Sequence, residues 1–292
     1  MAAEVWTRST DTQLLAALAP CLAQHIEQAA YAPNLRAAVE YALLGGGKRV
    51  RPLLVLRSAE AAGADPATAL DAAAAIEMVH AFSLVHDDLP ALDNDDLRRG
   101  RPTLHVAFGE ALAILAGDAL LALAVQAAAS SSRGAPAMTV ELARATNAMI
   151  TGQVLDTLGG FDAATTAEDR VRRIHLAKTG ALINCACRMG ALAAHASDAD
   201  FAAIDEYGEA VGLMFQIVDD IIDETQSAEH AGKAVGKDRQ AGKLTYPGVF
   251  GLPRARAEVE RLRTTAAEAI VPLGARGASL AEFASLLSER TR

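Results

Sequence analysis

Two acidic clusters set among apolar residues constrain this chain more than any other feature. They are Asp87-Asp88-Leu89-Pro90-Ala91-Leu92-Asp93 and Asp219-Asp220-Ile221-Ile222-Asp223, about 130 positions apart. A buried carboxylate is costly unless it is paired, protonated or bound to metal, so a fold that brings these stretches inside must supply positive charge. Hard divalent cations are the simplest supply. Mg²⁺ held by carboxylates usually takes phosphate oxygens as further ligands. The clusters therefore point to metal-assisted chemistry on a diphosphate.

The two clusters differ in spacing. Asp219 and Asp223 are i and i+4, and Asp220 and Asp223 are i and i+3, so a helix stacks them about one turn apart. Phe215, Ile217, Val218, Ile221 and Ile222 mark that helix as interior, against the alternative of an acidic surface patch. Asp87 and Asp93 are six apart, which on a straight helix sets them ~120° from each other. Pro90 breaks that continuity and disfavours helical geometry at Leu89. A bulged helix end that returns Asp93 to Asp87 is the expectation. Asp95-Asp96 then runs into Leu97-Arg98-Arg99-Gly100-Arg101-Pro102, read as a loop that changes sign abruptly.

The rest of the chain reads as helix. It is 51% hydrophobic but only 4% aromatic, and Ala and Leu dominate, which favours helices over strands. Pro33 opens a segment ending at Gly45-Gly46-Gly47, and Arg51-Pro52 opens one that stops near Gly63. Further helices are predicted over 67–88, 110–129, 137–158, 167–195, 199–224, 254–270 and 279–290. One all-α domain of roughly ten helices over 1–292 is the economical reading. Three cysteines, Cys21, Cys185 and Cys187, are an odd number without zinc-site spacing, so a reducing compartment is expected. The N-terminus has no secretory pattern. Apolar stretches such as Ala119–Ala129 are bounded or broken by Asp118 and Gln126, so no membrane span is expected and a cytoplasmic location follows. A net charge of −9 argues against nucleic acid as a partner.

Smaller constellations are weaker. Gly45-Gly46-Gly47-Lys48-Arg49-Val50-Arg51-Pro52 resembles an anion-binding turn but lacks P-loop spacing, and a helix end followed by solvated bases is its alternative. His80 and His86 flank an apolar stretch, where a hydrogen-bonded core histidine is the common case. Glu77-x-x-His80 is half of a di-iron motif, and the absence of a second half excludes that reading. Gln153 with Asp156, Lys178-Thr179 and Lys237 with Lys243 carry little alone.

Together these residues resemble the trans-isoprenyl diphosphate synthases, or polyprenyl synthetases, most closely bacterial farnesyl diphosphate synthases. The resemblance runs from GGGKRVRP (45–52) through HDDLPALDNDDLRRGRPTLH (86–105), GDALL (117–121), GQVLD (152–156), AKTGAL (177–182) and GLMFQIVDDIID (212–223) to GKDRQAGKLTYP (236–247). It implies an isoprenoid-synthase-type helical bundle around a deep central cavity, and a homodimer. It also implies condensation of isopentenyl diphosphate with an allylic diphosphate. Three Mg²⁺ ions would be held by Asp87, Asp93 and Asp219, with Asp88, Asp220 and Asp223 supporting. Arg98 and Lys237 would assist on the allylic diphosphate, and Lys48, Arg51, His80 and Arg99 would hold that of isopentenyl diphosphate. Lys178, Thr179 and Gln216 would face the allylic substrate and stabilise the cation formed from it. The polar segment 224–236 is expected to close as a lid.

Product length turns on residues before Asp87. Ser83 is i−4 and lies almost beneath it, whereas Phe82 is i−5 and offset by ~140°, so helical geometry alone does not put Phe82 in the pocket. In similar bacterial enzymes an aromatic there, with two extra residues in the first motif, accompanies a C15 product. Farnesyl diphosphate is therefore expected, with geranylgeranyl or geranyl diphosphate as alternatives. Asn94 departs from the Asp of many relatives without touching the assigned aspartates. A terpene cyclase should lack GGGKRVRP, and a non-catalytic synthase subunit should have lost aspartates, all six of which are present.

Overall fold

Proline and glycine cut the Ala- and Leu-rich chain into helices close to where the sequence places them. The computed structural model describes residues 10–229 and 243–290. Its elements begin with α1 (Asp11–Gln28), α2 (Pro33–Leu44), α3 (Val50–Ala61) and α4 (Leu70–Asp87), the last entered through a 3₁₀ turn over Pro66–Ala69. A two-stranded hairpin, β1 (Leu97–Arg98) and β2 (Arg101–Pro102), precedes α5 (Leu104–Phe108), α6 (Glu110–Ser130) and α7 (Ala135–Thr157). Next, α8 (Ala167–Ile174) passes through a π turn (His175–Gly180) into α9 (Ala181–Ala193). The long α10 (Asp198–Glu229), short α11 (Tyr246–Phe250), α12 (Leu252–Ala269), a 3₁₀ segment over Val271–Gly277 and α13 (Ala278–Glu289) complete the order.

Two elements depart from the sequence reading. Helix α1 is absent from it because Pro20 sits mid-helix, yet Thr10 and Gln13 close a reciprocal capping box at its start. The 97–102 segment, read as loop, is a hairpin in which Leu97 pairs with Pro102 and Arg98 with Arg101. Arg99 and Gly100, at φ 53° and 74°, form its two-residue turn, the left-handed geometry that matches strand twist.

Helix α4 is buried over most of its circumference, from Ala72 to Val79 and again at Ala81, Phe82 and Val85. It packs on α6 and α3, while α9 bridges α3, α7 and α10. A helix apolar on every side belongs in a core, and α4 occupies that place. Its C-terminal end and the Asp219 stretch of α10 carry the two acidic clusters. The expectation that no apolar segment reaches membrane-spanning length needs correction. Among the described residues, Pro66–Asp87 and Glu110–Ser130 are long and apolar enough, because single residues such as Asp118 and Gln126 do little to the average.

Candidate active site

Helix α4 ends as the break at Pro90 requires. The Leu89 amide donates to the His86 carbonyl at 3.1 Å, and the Asp93 amide donates to the Asp87 carbonyl at 2.8 Å. The bulge therefore brings Asp93 back beside Asp87. Asp88 points elsewhere: it is 3% exposed and its carboxylate accepts from Arg98 Nε and Nη2 at 2.6–2.9 Å. Burial raises the Asp87 carboxyl to about 6, against the pull of Lys178 and with the push of Asp93. Asp93 carries Lys243 Nζ at 3.3 Å.

The second cluster repeats this division. Burial raises the Asp219 carboxyl, opposed by Arg290, whose Nη1 lies 3.6 Å away, and by Lys48 and Arg51. Asp220 is 4% exposed. It accepts from the Tyr246 amide at 2.7 Å and Gln216 Nε2 at 2.9 Å, with His175 Nε2 at 3.2 Å. Asp88 and Asp220, expected as supporting metal ligands, are thus committed to protein donors. Asp223 is partly buried one turn further along α10.

Lys178 and Thr179 stand on the π turn, a local widening that helices use at functional sites. Close backbone approach seats that turn. A Cβ on Gly152 of α7 would fall 2.3 Å from the Lys178 nitrogen, and one on Gly212 of α10 would fall 2.9 Å from the Gly180 Cα. Lys178 Nζ donates to Asp156 at 2.6 Å, and the Thr179 hydroxyl donates to Gln216 Oε1 at 2.7 Å. Gln216 thereby links Thr179 to Asp220.

The basic residues gather on the opposite wall. Arg51 Nη1 lies 3.3 Å from His80 Nε2. Burial and the positive charges of Arg51, Arg99, Arg98 and Arg49 push His80 well below its ordinary pKa, so the ring is neutral and accepts from Arg51. Arg99 donates to the Gly46 carbonyl, which ties the hairpin to the glycine turn. Lys48 is exposed beside that turn. A small cavity lies here, lined by Arg49, Glu77, His80, Arg98 and Arg99 and by apolar Ala81, Leu84 and Val85. A deeper cavity of about 400 Å³ is lined by Phe82, Ser83, Asp87, Met149, Lys178 and Thr179 among others. Both Phe82 and Ser83 reach it despite their angular offset, because the space spans more than one row of α4 side chains. The Phe82 ring meets His86 edge to face, centroids 5.1 Å apart.

The sequence reading gives no role of their own to Arg49, His175, Lys243, Tyr246 and Arg290. Arg49 had a usable signal, since buried Glu77 on an apolar helix demands a cation, and Arg49 binds it. Lys237 and most of the segment 224–236 lie outside the described residues. The aspartates of the two clusters offer carboxylate oxygens, with lysine and arginine side chains beside them. Such a donor set fits hard divalent cations such as Mg²⁺ rather than zinc or iron.

Residues 32–270 match the polyprenyl synthetase family. The chain belongs to that family. It is a prenyltransferase of isoprenoid biosynthesis. It is 48% identical over 246 residues to geranylgeranyl pyrophosphate synthase 12, chloroplastic, of Arabidopsis thaliana, covering 81% of this chain and 68% of that protein. It is 46% identical over 244 residues to geranylgeranyl pyrophosphate synthase 10, mitochondrial, of the same plant, covering 80% and 71%. Among solved structures, the geranyltransferase from Legionella pneumophila superposes with a TM-score of 0.80 at 34% identity, covering 96% of this chain and 97% of that one. The all-α isoprenyl synthase fold is as expected. The expected cytoplasmic location is overturned, because these sequence relatives are chloroplastic and mitochondrial proteins.

Proposed function

We propose that this polyprenyl synthetase extends allylic diphosphates with isopentenyl diphosphate to geranylgeranyl diphosphate. The observation that carries this reading is that relatives 48% and 46% identical are named geranylgeranyl pyrophosphate synthases. It replaces the farnesyl product expected from the sequence. Farnesyl diphosphate stays as a second reading on one observation: Phe82, 7% exposed, lines the deep cavity.

Asp87 and Asp93 on one rim and Asp219 on the other would hold Mg²⁺, three ions by resemblance, with Asp223 in support. When bound, Mg²⁺ supplies the charge that stabilises a departing diphosphate. Asp88 and Asp220 act behind them, fixing the ligand-bearing segments through Arg98 and through Tyr246, Gln216 and His175. Arg98, Lys178 and Lys237 bind the allylic diphosphate. Lys48, Arg51 and Arg99 bind that of isopentenyl diphosphate, with His80 neutral and orienting Arg51. Thr179 gives its hydroxyl proton to Gln216, so its oxygen lone pairs remain available to the allylic cation. The alkene of isopentenyl diphosphate attacks that cation, and the released diphosphate takes the final proton, so no side-chain base is required.

Helices α6 and α7 expose Ile114, Leu115, Val125 and Val140 away from the deep cavity's lining. A homodimer that covers these faces is proposed, and sedimentation equilibrium tests it. The match over 32–270 supports reading the chain as one polyprenyl synthetase domain. Product assay tests the main reading: the protein is incubated with isopentenyl diphosphate, Mg²⁺ and each of the C5, C10 and C15 allylic diphosphates. Conversion of the C15 starter to C20 is expected. Accumulation of C15 with no extension of added C15 selects the farnesyl reading.

A further inference from the structure

Away from the cavity, at the opposite end of α4, three side chains of ligand type converge. Cys21 and His25 are i and i+4 on α1, so they share one face, and Asp71 stands in the first turn of α4. Cys21 Sγ lies 3.8 Å from Asp71 Oδ1, His25 Nε2 lies 3.1 Å from the same oxygen, and all three ligand atoms fall within 4.8 Å of one another. A tetrahedral zinc with ordinary bond lengths of about 2.0–2.3 Å separates a sulfur from an oxygen ligand by ~3.5 Å and a nitrogen from an oxygen by ~3.3 Å. The two separations to Asp71 are close to these edges, and the third, from sulfur to nitrogen, is within 4.8 Å.

The donor set also discriminates. One thiolate, one imidazole and one carboxylate are the ligands of Zn²⁺, not of the Mg²⁺ that the all-oxygen aspartate clusters suit. Asp71 keeps 37% of its side chain exposed while His25 keeps 11%, so the site has an entry path and room for water as a fourth ligand. Asp71 precedes Asp87 by 16 residues on one helix, about 24 Å at 1.5 Å per residue, so this position is separate from the catalytic rim.

We propose that Cys21, His25 and Asp71 form a Zn²⁺ site that clamps α1 onto α4. Binding releases the Cys21 thiol proton to solvent and forms one Zn–S, one Zn–N and one Zn–O bond, with no change of oxidation state. The role is structural: α1 is fastened to the helix that forms the cavity wall, by a link that its apolar contacts alone do not provide.

Cobalt titration of the full chain tests this, with excess Mg²⁺ present to fill the aspartate clusters. Co²⁺ on oxygen ligands gives no thiolate charge-transfer absorption, whereas Co²⁺ on Cys21 does. A near-ultraviolet charge-transfer band saturating at one equivalent is expected, displaced by Zn²⁺, absent in Cys21→Ser and preserved in Cys185→Ala. His25→Asn, which keeps a similar shape, should weaken Co²⁺ binding at least about tenfold, as loss of a metal-site contact does. Zn²⁺ should raise Tm in the native chain and not in Cys21→Ser, whose fold is checked by circular dichroism. Absence of the band at tenfold excess Co²⁺, or its survival in Cys21→Ser, overturns the proposal.

Discussion

The two aspartate clusters solve one electrostatic problem with different scaffolds. In each, burial raises the carboxyl of one aspartate, Asp87 or Asp219, and its neighbour is held by donors of the protein. Asp88 is anchored locally, by Arg98 ten residues on, and that arginine stays 34% exposed. Asp220 is anchored from afar, by the Tyr246 amide and by His175 and Gln216, in a pocket where both Asp220 and His175 are 4% exposed. A local anchor positions one loop. The distant anchor joins α10, the π turn and the start of α11, so the second cluster carries part of the tertiary fold as well as the site.

Removing either of these raised carboxylates should have the largest effect and should be equal on the two sides. Asp87→Ala and Asp219→Ala are each expected to lower kcat/KM by roughly 100- to 1000-fold in steady-state condensation assays, as loss of a transition-state charge partner does. Unequal losses would show that one rim dominates. The anchors should then separate the clusters. Asp220→Ala strands buried donors and is expected to cost about 3–5 kcal/mol in denaturant unfolding, whereas Asp88→Ala, with its arginine able to reach water, should cost less than half of that.

Next in size is a pH effect, followed at Asp87 and shared in direction by Asp219 of the second cluster. Folding raises Asp87 to about 6, against about 3.9 when unfolded, so its ionisation opposes folding. The penalty is absent below about pH 4 and complete above about pH 6. Asp87→Asn should therefore raise the stability of the metal-free protein by about 2–3 kcal/mol at pH 8 and leave it unchanged at pH 4, measured by thermal unfolding. The smallest effect on rate and the most diagnostic for product is Phe82→Ala. It should lengthen the products, read by chromatography after dephosphorylation, because Phe82 lies in the cavity wall one turn below Asp87. Unchanged chain length would remove Phe82, and with it the second reading, from the account of specificity.

Pattern made most of the helices and both motifs legible. Pro33, Pro66 and Gly63 mark ends that the structure keeps within a few residues, and the return of Asp93 to Asp87 followed from Pro90 alone. Helix α1 was hidden by Pro20, since a mid-helix proline imitates a boundary. The hairpin was hidden because two-residue strands are too short for alternation to register. Product length is not legible in the same way. The aromatic Phe82 points to a C15 product, whereas relatives 48% and 46% identical are named geranylgeranyl pyrophosphate synthases.

By itself the sequence determined that the chain is helical, that its carboxylates require cations, and that Asp219 and Asp223 share a face. These follow from local spacing and from the cost of burying charge. Only the tertiary structure decided what surrounds each aspartate of the pairs. Asp88 and Asp87 are adjacent in the chain and identical in chemistry, as are Asp220 and Asp219. Their surroundings diverge because Arg98, Tyr246 and His175 come from elsewhere in the chain to pair with Asp88 and Asp220, and a buried carboxylate needs such partners.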